Sequence, residues 1–227
     1  MEKKTFSFVF ATRRFWAIVV ASLAIVAGYG RDAGADLITF KFTGSVTAVG
    51  SALTGTFNTT QTISGSYGFD SATPDVAFAD PTVGIYGGAL KALTFTVGGY
   101  TGTFAGGANT IFVDNSGGIS SYQFITPFSG ASVGGLPPGV FSLLLRDNTG
   151  TAFNSDLLPT TPPDLSDFGI SEFVFSFGQS CIEPPQVCSV SGSVTSLTLA
   201  AVPEPATLAL LGVGLAAMGA AAWRRRR

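Results

Sequence analysis

Four small groups of residues in this sequence have types and spacings that could do chemistry. Asp164, Asp167 and Glu172 are carboxylates close together in the chain, and paired carboxylates are what glycoside hydrolysis needs. Asp70, Asp75 and Asp80, and separately Asp147, offer oxygen ligands of the kind calcium takes. Cys181 and Cys188 are the two cysteines of the chain. Pro203, Glu204 and Pro205 form a rigid tripeptide directly ahead of an apolar run. Against these stands one absence: none of the 227 residues is histidine. Ser-His-Asp and Cys-His catalysis and histidine-based zinc sites are therefore excluded. A Ser-Lys arrangement would have to use Lys41 or Lys91, each in a strand-like run without a motif.

The acids fare little better as catalysts. Asp164 and Asp167 sit in a proline-rich loop, where carboxylates ordinarily serve as solvated turn residues. No EF-hand or other repeated ligand spacing accompanies the aspartates of 70–80 or Asp147. Tyr86, Tyr100 and Tyr122 are candidates for stacking on sugar rings, although the aromatics of a β-domain mostly fill its core. The expectation is a protein with no catalytic residues, no metal and no cofactor.

The ends of the chain explain where the middle goes. Lys3, Lys4, Arg13 and Arg14 make a basic start, residues 16–30 are apolar, and Ala33-Gly34-Ala35 supplies small residues for cleavage. These are the three regions of a secretory signal peptide, with cleavage expected after Ala35 and Asp36 as the new terminus. At the other end, residues 206–222 are Ala, Leu, Gly, Val or Met apart from Thr207. As a helix this run spans about 25 Å, close to the hydrocarbon thickness of a bilayer. Trp223 suits the headgroup region, and Arg224, Arg225, Arg226 and Arg227 hold their end in the cytoplasm. Pro203 and Pro205 stop the helix from extending upstream.

This ordered trio of Pro-Glu-Pro, apolar span and terminal arginines resembles the PEP-CTERM sorting signal of Gram-negative bacteria. The resemblance covers residues 202–227. It implies recognition by an exosortase, a membrane-embedded cysteine protease-transpeptidase, with processing near Pro203-Glu204-Pro205. It also implies a setting of exopolysaccharide production and biofilm formation. Exopolysaccharide then stands as a further candidate partner, and the inner membrane as a transient one.

Between the two targeting segments, residues 36–201 make one exported domain, long enough for a sizeable core. From Asp36 to Val202 there are eleven acids against three bases, Lys41, Lys91 and Arg146, a balance of −8. So acidic a domain lacks the cations that nucleic-acid binding needs. In an exported domain, Cys181 and Cys188 are expected to form a disulfide, with Pro184-Pro185 folding the chain back between them.

The domain reads as all-β. Residues 37–49, 61–69, 89–97, 100–105, 109–114, 120–126, 140–146, 168–177 and 187–199 are strand-like, separated by Gly, Pro, Asn and Asp. Ile63, Gly65, Tyr67 and Phe69 should share one face, as should Phe173, Phe175 and Phe177. The expected architecture is an antiparallel, jelly-roll-like β-sandwich between a signal-peptide helix and a C-terminal transmembrane helix. The strand chemistry of residues 42–47 echoes that of 190–195, so the first and last strands are expected to be sheet neighbours. The domain also resembles others found ahead of the same sorting signal, through residues 42–49, 65–70, 93–99, 156–165 and 192–197; this adds family membership and little chemistry. The functional expectation is a structural or adhesive surface protein, first anchored with its domain in the periplasm and then at the cell surface or outside. A tethered carbohydrate-binding module is the alternative.

Overall fold

The computed structural model describes residues 37–178 and 187–200. Alternation of apolar and polar residues converts directly into strands with one buried face. The strands are β1 (Leu37–Val49), β2 (Thr62–Asp70), β3 (Val83–Gly87), β4 (Leu90–Val97) and β5 (Tyr100–Phe104). They continue with β6 (Thr110–Asp114), β7 (Ser120–Gly130), β8 (Pro138–Asp147), β9 (Ile170–Phe177) and β10 (Ser189–Leu199). Two short 3-10 turns, Ser51–Leu53 and Leu165–Asp167, complete the regular structure among the described residues. β3 was not expected from the sequence. Its five residues V-G-I-Y-G are short and flanked by glycine and a proline-punctuated loop.

All pairings are antiparallel, and eight of the strands close on themselves. Around the ring the order is β1, β2, β4, β5, β7, β8, β9, β10 and back to β1. The expected sandwich is therefore replaced by a closed barrel. The physical reason is edge satisfaction. β7 pairs with β8 along residues 120–127 while β5 takes its other side at Phe128–Gly130, so no ring strand is left with an open edge. A barrel and a sandwich impose the same in/out alternation, which is why periodicity alone does not separate them. β1 pairs with β10 from Phe40↔Leu199 to Val49↔Val190, so the first and last strands are neighbours as the echo suggested. β6 pairs with the lower part of β7, and β3 lies outside β6 as a two-strand flank on the barrel.

The interior is a packed core. Phe40, Tyr67, Phe69, Phe95, Phe124, Phe141, Phe173, Phe175 and Phe177 are fully buried. The Phe95 ring lies 4.8 Å from Phe141, 5.1 Å from Phe175 and 5.2 Å edge-on from Phe128, centroid to centroid. Room for these rings comes from glycine on facing strands. A Cβ on Gly65 would meet the Phe42 ring at 2.7 Å, and one on Gly44 would meet Phe173 at 3.1 Å. Large and small residues thus alternate across the barrel, as a narrow interior requires.

Strand direction alternates around the ring, so the connections sort to two ends. At one end lie the start of β1, the end of β10, the β2–β4 connection with β3, the β5–β7 connection with β6, and loop 148–169. We call this the exit end. The far end carries residues 50–61, the Gly98-Gly99 turn, residues 131–137, the end of β9 and the start of β10.

Candidate functional site

The exit end gathers the aspartates that the sequence marked as chemical. Asp70, Asp75, Asp80, Asp114, Asp147, Asp156, Asp164 and Asp167 all fall in its strand ends and loops. These are all the aspartates among the described residues.

Six of these carboxylates do the same job. Asp70 accepts the amide of Ala72, Asp75 that of Ala77, Asp80 that of Thr82, Asp114 that of Ser116, Asp147 that of Thr149 and Asp164 that of Ser166. Each is an Asx turn, with the side chain standing in for a backbone acceptor two residues upstream of the donor. Asp147 is the most heavily engaged. Its two oxygens also accept the Thr149 hydroxyl at 2.7 and 2.9 Å and the amides of Thr151 at 2.8 Å and Ala152 at 3.2 Å. Hydrogen bonds from Thr149, first its hydroxyl and then its amide, hold the Asp147 carboxyl well below the usual carboxylate range. Asp80 and Asp164 are lowered in the same way by Thr82 and Ser166. An acceptor filled by backbone donors is neither a general acid nor a ready ligand for calcium. Among the described residues no group of three or more acidic or cysteine side chains is placed to hold a metal ion.

Loop 148–169 is long for a connection inside a small domain, and loops of that length are either functional or disordered. This one is pinned along its length. Asp147 ties down its start, Phe153 donates its amide to the Ser120 hydroxyl at 3.3 Å, and the Tyr86 hydroxyl donates to the Asp156 carbonyl at 2.9 Å. Asp164 caps the 3-10 turn Leu165–Asp167, which packs against β10. The loop encloses a groove of about 390 Å³ lined by Phe153, Phe168, Leu157, Pro162, Asp164 and Asp167 among others. Asp164 and Asp167 share that groove; Glu172 stands apart on the β9 wall, outside its lining.

The three tyrosines named as sugar-stacking candidates are buried. Tyr122 is fully buried, and Tyr86 and Tyr100 nearly so. Burial, reinforced by the charges of Asp75 and Asp156, pushes the Tyr86 phenol up to about 12. Burial pushes Tyr100 up to about 12 as well. Tyr67 and Tyr122 meet in the core, where desolvation raises both well above the ordinary value and neither oxygen has a well-formed hydrogen bond. Sequence reasoning found the acids and the loop, but it did not anticipate that Tyr86 is a structural strut between β3 and loop 148–169.

The other sequence-predicted sites fall on the ends and on one loop. Cys188 is buried and carries no free thiol; Cys181 lies outside the described residues. So do Ala33, Ala35 and Asp36, the motif Pro203, Glu204 and Pro205, the expected span 206–222, and Arg224, Arg225, Arg226 and Arg227. Among the described residues no helix is long and apolar enough to cross a membrane. The structure does fix the point at which these segments join the barrel. The Ala200 amide donates to the Thr39 carbonyl at 2.8 Å, so the first described residues of β1 and the last of the described chain lie side by side at the exit end. Comparison with known families matches residues 201–227 to the PEP-CTERM protein-sorting motif, beginning at the residue after this bond. No curated protein and no solved structure matches the chain.

Proposed function

We propose that this exported, exosortase-sorted protein is a non-enzymatic structural element of the cell surface or its surrounding matrix. Its PEP-CTERM motif carries the sorting, export and membrane-anchored transit; the role of the barrel is our reading. The observation that carries it is the bond between Thr39 and Ala200 at the foot of the barrel. It holds the first and last strands of the closed barrel together at the exit end, and the sorting motif follows at once.

Three further features support a passive role. The barrel interior is filled by aromatic rings. The exit-end carboxylates are engaged as turn caps. The outer wall is rich in short hydroxyls, with Thr43 bonded to Thr195 at 3.3 Å and Ser64 to Thr96 at 3.1 Å across strand pairs. An exopolysaccharide partner in a biofilm would meet that wall or the groove of loop 148–169, since the tyrosines are buried. The domain would stand in the periplasm before processing and at the surface afterwards. The pair Cys181–Cys188 would staple the far end, away from the processing site.

Intact-mass analysis of the chain from cells with and without the exosortase tests the sorting half. The expected result is a species shortened near Pro203-Glu204-Pro205 only when the enzyme is present. An unchanged C-terminus in both would reduce the tail to an ordinary anchor. Turnover of a polysaccharide by the purified protein, lost on substitution of Asp167 or Glu172, would overturn the non-enzymatic half.

A further inference from the structure

We propose that the exit end of the barrel is a docking surface for the membrane-embedded protease that processes the tail, with the turn carrying Val76 and Phe78 and the neighbouring Leu157 as its apolar contacts. The proposal rests on the sorting reading above and adds a recognition surface outside the motif.

Exposed apolar side chains are unevenly distributed over the barrel. Of the eight large hydrophobics exposed among the described residues, Leu37, Val76, Phe78, Leu157 and Leu199 belong to the exit end. Phe78 is 85% exposed and Leu157 68%. These positions are fixed. The Ala77 amide is held by Asp75, and the Asp80 amide by the Ala77 carbonyl at 2.8 Å, so the residues bracketing Phe78 lie in bonded turns. The same loop seals the free edge of β3: Ile85 donates to Asp75 at 2.8 Å, and Val76 donates to the Ile85 carbonyl at 2.9 Å. A partner here would meet side chains and could not add a strand at Ile85. Tyr86 joins β3 to Asp156, next to Leu157, so β3 links the turn carrying Phe78 to loop 148–169 along the exit end.

Chain length says what covers this surface. Ala200 is fixed to Thr39, and Pro203 follows three residues later, at most about 11 Å of extended chain. A protease that cuts at Pro203-Glu204-Pro205 in the folded protein must bring its own surface against the exit end. Charge says what that surface is like. Every described aspartate lies at this end, against Lys91 and Arg146 as the nearest bases by strand position. The complement is a basic face with apolar sockets. The same carboxylates disfavour an anionic lipid surface, which makes the bilayer the weaker occupant.

The test uses the full chain in cells that contain the exosortase. A photo-crosslinking phenylalanine analogue in place of Phe78 should yield an adduct with the protease. Adducts with lipid alone, or no adduct while processing continues, would overturn the proposal. The double variant Phe78→Ser, Leu157→Ser should be processed at least about ten-fold more slowly, the loss expected when a contact cluster at an interface is removed. Protease resistance of its barrel checks that it folds. A flexible Gly/Ser insertion of about twelve residues after Ala200 should abolish the difference between variant and parent. The control Glu204→Ala separates the two readings. If it is still processed, the sorting reading fails. If its processing stops while the double variant is cut at the parental rate, only the docking surface fails.

Discussion

Gly192 and Phe173 face each other across the β9–β10 seam with no room for a methyl group between them. A Cβ on Gly192 would lie 2.6 Å from Cζ of the Phe173 ring and would also press on the Ser45 carbonyl. The same ring occupies the space in front of Gly44 on β1. Two glycines and one phenylalanine therefore set how closely β1, β10 and β9 approach at the closure of the barrel.

Gly192→Ala is expected to destabilise the protein by about 1–3 kcal/mol, the usual cost of overpacking. Because a backbone carbonyl is one of the obstacles, the upper part of that range is the expectation. In thermal melts this is a drop of several degrees, at about 2–4 °C per kcal/mol for a chain of this size. Gly55→Ala is the matched control, since a Cβ there meets nothing within 4 Å. It should melt within about a degree or two of the parent. Equal melting of the two variants would remove the ring-over-glycine account of closure.

The glycines show how far the sequence could be read. The shared strand chemistry of residues 42–47 and 190–195 pointed to neighbouring strands, and Gly44 and Gly192 explain why: both make room for Phe173. Inward runs such as Phe173, Phe175 and Phe177 were equally legible, because period-two alternation is local. Closure was not legible. It depends on β7 meeting β8 and β1 meeting β10, contacts between residues far apart in sequence. β3 was missed because five residues flanked by glycine carry too little periodicity. At the exit end, the aspartates were readable as turn residues from their Gly, Ser and Thr neighbours. The burial of Tyr86, Tyr100 and Tyr122 was not, since an alternating pattern does not say which aromatic face turns inward.

Asp147 should govern part of the acid response. Its folded-state carboxyl titrates below the ordinary 3.8 because Thr149, Thr151 and Ala152 donate to the charged form. A depressed carboxyl contributes stability that is fully present above its unfolded value and is lost as pH falls through the folded value. The loss therefore begins near pH 4 and deepens below it. Asp147→Ala should melt below the parent at neutral pH, and the gap should narrow as pH drops under about 4. A gap constant from pH 7 to pH 2 would show that the carboxylate charge adds nothing to the turn.

The tyrosines predict the alkaline limb. Tyr86 and Tyr100 are held neutral up to about 12, and Tyr67 and Tyr122 are also raised. Their phenols bind protons more tightly in the folded than in the unfolded chain. Stability is thus unaffected by them below the ordinary value of 10.0 and declines as pH climbs from there towards 12. In a chain that begins at Asp36, and so lacks Tyr29, phenolate absorbance should stay flat through pH 10 and rise together with loss of β-sheet circular dichroism. A phenolate signal at pH 10 with the fold intact would place one of these hydroxyls in solvent.

The cysteines test the far end of the barrel. Cys188 is nearly inaccessible and carries no free thiol, one residue before β10 begins, and Phe177 donates its amide to the Cys188 carbonyl at 2.9 Å. If Cys181 is its partner, the bridge closes a short loop between β9 and β10. Short loops gain less chain-entropy stabilisation than long ones, so removing the bridge should cost no more than about 3 kcal/mol. Native, unreduced protein should take up no alkylating reagent, and reduced, denatured protein should take up two equivalents. Cys181→Ser, which leaves the buried Cys188 in place, should then expose one reactive thiol on unfolding and lower the melting temperature by several degrees. Alkylation at Cys181 in the native, unreduced parent would exclude the bridge, leaving the far end to backbone bonds such as those from Phe177 to Cys188, Ala52 to Val187 and Gly178 to Pro137.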